Sequence, residues 1–188
     1  KDGYGKYFYE NGNRYEGQYI NDKQEGVGTM FFNNGDKYIG SFKDELMEGK
    51  GTYYYTNGDR YEGEFQNGYA EGRGAYYFSD GEKYVGDYKQ DKRDGHGIYF
   101  YSNGDKYIGE FKDGKKDGKG ILYDKDGNKK KEMYFDNDER IKKDNLTDLI
   151  SNDYSKEDSS RTNHQKEETK NGDKKIKKYT GEGEYEGD

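Results

Sequence analysis

The sequence predicts an all-β protein: an elongated single-layer antiparallel sheet of stacked 23-residue β-hairpins, followed by a largely disordered C-terminal tail. Three observations predict it. Tyr-x-Gly recurs at Tyr15/Gly17, Tyr38/Gly40, Tyr61/Gly63, Tyr84/Gly86 and Tyr107/Gly109, a step of 23 each time. Gly-x-Gly keeps the same step at Gly3/Gly5, Gly26/Gly28, Gly49/Gly51, Gly72/Gly74, Gly95/Gly97 and Gly118/Gly120. Turn pairs follow in phase at Asn11-Gly12, Asn34-Gly35, Asn57-Gly58, Asp80-Gly81, Asn103-Gly104 and Asp126-Gly127. A fixed step held through so many motifs marks a repeat architecture, in which each unit buries its apolar face against its neighbours.

Each unit reads as a hairpin. Asn-Gly between segments of alternating polarity signals one, because tight hairpin turns need positive φ. In one unit the first strand spans 36–43, its partner 49–56, and 44–48 connects them. Side chains alternate with period two, so Tyr38, Gly40 and Phe42 share one face, as do Gly49, Gly51, Tyr53 and Tyr55. A glycine beside a ring leaves room for that ring to lie flat across the backbone. One hairpin is marginal in water, so the units must stack. At ~4.8 Å per strand, five full units with flanking halves make a rod on the order of 50 Å long, curled by twist into a grooved ribbon.

Composition has to be squared with this. Only 27% of the 188 residues are hydrophobic and 39% are charged, figures that alone suggest disorder. The 23 Tyr and 9 Phe supply the missing burial, since each ring removes roughly 150–250 Å² from water. With no cysteine there is no disulfide and no thiolate metal site, which fits an intracellular protein. No apolar run reaches the roughly 18 residues a membrane-spanning helix needs. The chain begins at Lys1 rather than Met and is expected to lie inside a longer protein.

Candidate chemistry is sparse, and no catalytic residue, cofactor or metal is expected. His96 takes a variable slot filled elsewhere by Val27, Lys50, Arg73 and Lys119, so it reads as a surface residue; His164 lies in the tail. The Gly-x-Gly pairs lack the helix and lysine of a phosphate loop, and Asp22, Asp44 and Asp91 lack the carboxylate spacing of a calcium loop.

Two surfaces stand out. The aromatic face made by Tyr15, Tyr19, Tyr38, Phe42, Tyr61, Phe65, Tyr84, Tyr88, Tyr107 and Phe111 is the candidate interaction face, fit for a second copy or a partner helix. On the opposite face Arg14, Lys37, Arg60, Lys83 and Lys106 form a basic column at headgroup-like spacing, with an acidic column at Asp2, Glu25, Glu48, Glu71, Asp94 and Asp117. Residues 1–139 hold 22 Lys and Arg against 28 Asp and Glu, a net of −6, which favours compensating columns on a solvated face over lipid binding. The same balance argues against nucleic acid.

These motifs, for example "YEGEFQNGYAEGRGAYYF" from Tyr61 to Phe78, resemble the MORN (membrane occupation and recognition nexus) repeat. The resemblance covers about residues 2–123. One departure is systematic: the third aromatic, often Trp in that family, is Tyr or Phe here. Residues 1–139 are therefore expected to form the array, with five full repeats from about 11 to 125, an N-terminal half and a degenerate C-terminal half. Residues 140–178 read as a polar linker or insertion with a short helix over 144–152, and 179–188 as the start of a further repeat. What the resemblance implies is a non-catalytic scaffold for protein partners or self-association. It places the protein in the cytoplasm, at a ciliary, cortical or membrane-proximal assembly, with weak phospholipid contact as an added expectation. The alternatives are a regulatory module of a phosphatidylinositol phosphate kinase or SET-domain methyltransferase, and a phosphoinositide-binding module.

Overall fold

The computed structural model describes residues 1–142 and 183–187. The expected helix over 144–152 and most of the expected linker lie outside the described residues. The described chain is all β. Its strands are β1 (Gly3–Tyr9), β2 (Arg14–Ile20), β3 (Lys23–Phe31), β4 (Lys37–Lys43), β5 (Leu46–Tyr54), β6 (Arg60–Gln66) and β7 (Tyr69–Tyr77). They continue as β8 (Lys83–Lys89), β9 (Lys92–Phe100), β10 (Lys106–Lys112), β11 (Lys115–Tyr123), β12 (Lys129–Asp136), β13 (Glu139–Ile141) and β14 (Gly183–Gly187). All belong to one antiparallel sheet in which β1 to β13 follow chain order and β14 flanks β1.

The hairpin turns differ from the expectation. Instead of a loop over 44–48, β4 and β5 are joined by Asp44 and Glu45 alone, at φ of 47° and 68°. Asn21/Asp22, Gln90/Asp91 and Asn137/Asp138 repeat that conformation, and Asn67 and Asp113 adopt it ahead of Gly68 and Gly114. Positive φ at both central residues is the type I′ geometry, whose twist matches that of paired strands. The Asn-Gly pairs sit at the other edge of the sheet. There Gly35 donates its N–H to the Phe32 carbonyl at 2.9 Å, and Phe32 donates to the Asp36 carbonyl at 2.9 Å. The chain is thus a meander with two kinds of turn.

The two glycines of each Gly-x-Gly have separate tasks. Gly49 sits at φ 71°, inside the shifted register of the β4–β5 pair, so it makes a bulge that a β-carbon would strain. Gly51 instead faces Gly40 across the strands, and the Tyr38 ring lies over both. A β-carbon on Gly40 would sit 2.3 Å from the Tyr38 hydroxyl oxygen, and one on Gly51 2.4 Å from its ring. The hydroxyl donates to the Ser41 carbonyl at 3.0 Å. Tyr15, Tyr61 and Tyr84 make the same bond to Gln18, Glu64 and Asp87.

The Tyr107 hydroxyl, by contrast, is buried with no hydrogen-bond partner. Tyr61→Phe is therefore expected to cost about 1 kcal/mol in urea unfolding, and Tyr107→Phe close to nothing. Equal losses in the two variants would refute this difference.

Candidate functional site

All ten rings of the expected interaction face are buried: the five tyrosines of the Tyr-x-Gly motifs at 0–1% exposure, and Tyr19, Phe42, Phe65, Tyr88 and Phe111 at 2–6%. They pack edge-on along the array, with Tyr38 5.2 Å from Phe42 in its own strand and 4.9 Å from Phe65 in the next unit. These rings are the core. They offer a partner little free surface: the five Tyr-x-Gly tyrosines lie over glycine backbone, and the rings of the two sets pack edge-on against one another.

Beside them runs a second aromatic column, from the ends of the strands that carry Gly-x-Gly and the residues just past them. Its members run Phe32, Tyr53, Tyr55, Tyr76, Phe78, Tyr99 and Tyr101, with successive ring centroids 4.7–5.7 Å apart. The column is buried as far as Tyr55, and half-buried from Tyr76 onward. The change follows one neighbouring position. Gln24, Met47 and Ala70 are buried there, whereas Arg93 and Lys116 occupy it in the later units and are half-buried. Lys116 lies 5.4 Å from the Tyr99 ring centre and donates to the Tyr101 hydroxyl at 2.6 Å, while Arg93 lies over Tyr84 and Phe111. The C-terminal half of this face therefore presents aromatic rims beside two cations. The 23-residue phase that revealed the first column also carries this one, but only the substitution of Arg93 and Lys116 into it marks where it opens.

Acidic turn residues fix these rings. The Tyr76 hydroxyl donates to Asp59 Oδ2 at 2.8 Å, and Asp59 Oδ1 accepts the Ser79 N–H at 2.9 Å, so one turn clasps the next. Asp36 does the same for Tyr53 and Thr56, and Glu82 for Tyr99 and Ser102. Burial alone would raise the Asp59 carboxyl, but bonds from Ser79, Asn57 and Tyr76 outweigh it and hold the group below its ordinary 3.8. Lys23 and Lys92 likewise lower Asp44 and Asp113 through direct hydrogen bonds. Carboxyls depressed in the folded state stabilise it above their unfolded value and lose that contribution as pH falls through the folded one. The thermal midpoint is expected to hold from pH 8 to 5 and to drop below about pH 4. A midpoint unchanged at pH 3 would contradict this assignment.

The acidic column proves to be structural. Glu25, Glu48, Glu71, Asp94 and Asp117 accept the backbone N–H of Asp44, Asn67, Gln90, Asp113 and Asn137, each the first positive-φ residue of the next unit's tight turn. Asp2 does so for Asn21. The side chains thus anchor residues that lack glycine's freedom.

On the opposite face the basic column alternates across the strands with rings: Arg14, Phe31, Lys37, Tyr54, Arg60, Tyr77, Lys83, Phe100, Lys106 and Tyr123 are successive cross-strand partners. The cations stack on these rings at 4.3–5.7 Å. The five are not equivalent. Arg14 and Arg60 are ion-paired to Glu16 and Glu62 at 3.0 and 2.8 Å. At the position of those glutamates, Lys37, Lys83 and Lys106 have the exposed aliphatics Ile39, Val85 and Ile108. His96 is exposed at the rim of a shallow cleft between the fourth and fifth tight turns. Among the described residues no group of three or more His, Cys, Asp or Glu is placed to hold a metal, and no helix is long and apolar enough to cross a membrane.

The MORN repeat profile matches six consecutive segments, 1–14, 15–37, 38–60, 61–83, 84–106 and 107–129. The chain belongs to the MORN repeat family. The five MORN units from residue 15 onward are strand pairs described above, each beginning at a tyrosine that lies over two glycines. No curated protein matches this MORN chain significantly. Among solved structures it is similar to the SAS-4 (dCPAP) TCP domain of Drosophila melanogaster, in complex with a proline-rich motif of Ana2 (dSTIL). The TM-score is 0.42 and the identity 19%, over 70% of this chain and 77% of that one. It is also similar to the wild-type TCP10 domain of Danio rerio CPAP, with TM-score 0.27 and 13% identity over 68% and 71% of the two chains. A point mutant of that domain gives TM-score 0.27 and 14% identity over 68% and 70%.

Proposed function

We propose that this MORN array is a non-catalytic scaffold that binds protein partners or a second copy of itself. The observation that supports this best is the open C-terminal half of the second aromatic column, where Tyr76, Phe78, Tyr99 and Tyr101 border Arg93 and Lys116. Aromatic rims beside cations suit a segment carrying apolar and acidic residues, since rings supply contact area and cations fix polarity. The ten rings of the first column act from beneath, by holding this surface rigid. A cytoskeletal, ciliary or cortical setting in the cytoplasm is the setting we assign to such a scaffold.

A second reading, phospholipid contact, rests on one observation: Lys37, Lys83 and Lys106 stand beside exposed aliphatics rather than glutamates. Against it stands the array's net charge of −6, because headgroup attraction needs local clusters of 4–8 basic residues.

Sedimentation of the chain alone and with phosphoinositide vesicles separates the two. The scaffold reading expects the protein to remain in solution at physiological salt and to self-associate with concentration, an association weakened at least tenfold by the paired change Tyr101→Ser and Lys116→Glu. Pelleting with vesicles at both low and physiological salt, lost on changing Lys37, Lys83 and Lys106 to Glu, would replace it with the lipid reading.

A further inference from the structure

β14 pairs with the outer edge of β1, opposite Gly5, Lys6, Tyr7, Phe8 and Tyr9. Its register is that of a repeat. Gly187 faces Gly5 and Tyr185 faces Tyr7, just as Gly63 faces Gly74 and Tyr61 faces Tyr76, and as Gly40 faces Gly51 and Tyr38 faces Tyr53. The sequence agrees with the register: Tyr185-Glu186-Gly187 repeats Tyr61-Glu62-Gly63 residue for residue. β1, in turn, is the Gly-x-Gly strand of the first matched segment, with Gly3 at positive φ like the bulge glycines of the full units. β14 therefore stands where the Tyr-x-Gly strand of that unit belongs, although it comes from the opposite end of the sequence.

We infer that Gly183–Gly187 is a docking strand that folds back onto the β1 edge of the same molecule and there serves the Gly-x-Gly strand β1 as its Tyr-x-Gly partner. The tether allows it. β13 and β1 are twelve strand spacings apart, roughly 58 Å at ~4.8 Å each, while residues 142–182 reach about 135 Å if fully extended. An unpaired edge strand presents a row of free N–H and C=O groups, so a matched internal strand is a direct way to occupy it. At the far edge the last strand, β13, is only three residues long. This inference is independent of the partner surface proposed above, which lies on a face of the sheet and not at its edge.

The absence of cysteine makes the test clean. Lys6 and Glu186 are direct cross-strand partners, a geometry within the Cα separation a disulfide tolerates. In the full chain carrying Lys6→Cys and Glu186→Cys, mild oxidation at micromolar protein is expected to give an intramolecular disulfide, at least tenfold faster than in a Lys6→Cys, Glu184→Cys control two residues out of register. Hydrogen exchange gives a second readout without cysteines: the β1 amides that face β14 should exchange at least tenfold faster in a Glu184→Pro, Glu186→Pro chain than in the unmodified one. Failure to cross-link, equal rates in the two cysteine pairs, disulfide-linked dimers alone, or unchanged exchange would each overturn the inference.

Discussion

Gly63→Val is expected to cost at least ~3 kcal/mol in urea unfolding, enough to unfold the central units of the array. A β-carbon there falls 2.4 Å from the Tyr61 hydroxyl oxygen and 2.7 Å from the Gly74 backbone. Neither can give. The ring is flanked by Phe65 at 5.2 Å and Tyr88 at 4.9 Å, and the backbone is fixed by strand pairing. Glu62→Val, one residue away on the opposite face, is the control and should change stability by less than ~1 kcal/mol. A Gly63→Val protein as stable as the unmodified chain would show that the ring over the glycine pair is not a packing requirement.

Tyr61→Ala is the converse experiment, removing the ring and leaving the glycines. The side chain is 1% exposed and touches rings in its own and the following unit, so a loss of about 3–5 kcal/mol is expected. The loss should exceed that of Tyr61→Phe severalfold, because packing and not the hydroxyl carries most of it. A change under about 0.5 kcal/mol would put Tyr61 on a surface.

Much of this was legible from residue spacing. The 23-residue phase specified the strands, their faces and the ring-over-glycine packing, because each unit repeats one local solution to one problem: covering an aromatic in a single-layer sheet. Three things were not legible, each for a physical reason. The tight turns were hidden because Asp44-Glu45 and Gln90-Asp91 carry no glycine, and their positive φ is stabilised by carboxylates from the preceding unit. The ten first-column rings looked available because period two assigns a face but not what covers it. The cover is the next unit's ring. Finally, the opening of the second column depends on a change of residue at a single position, from Ala70 to Arg93 and Lys116, which gains meaning only once the column beside it is known to be packed.

The meander also dictates how the molecule bears load. Every strand runs across the long direction of the array and bonds only to its two neighbours. Tension applied between the two ends of the rod acts perpendicular to the strands, so the ladders of hydrogen bonds open in succession instead of resisting together. Such a rod is a yielding tether rather than a stiff strut. Stretched, it lets out one unit after another, each 23-residue repeat releasing on the order of 80 Å of chain, and it can reseal from whichever units stay folded, since every unit templates the next.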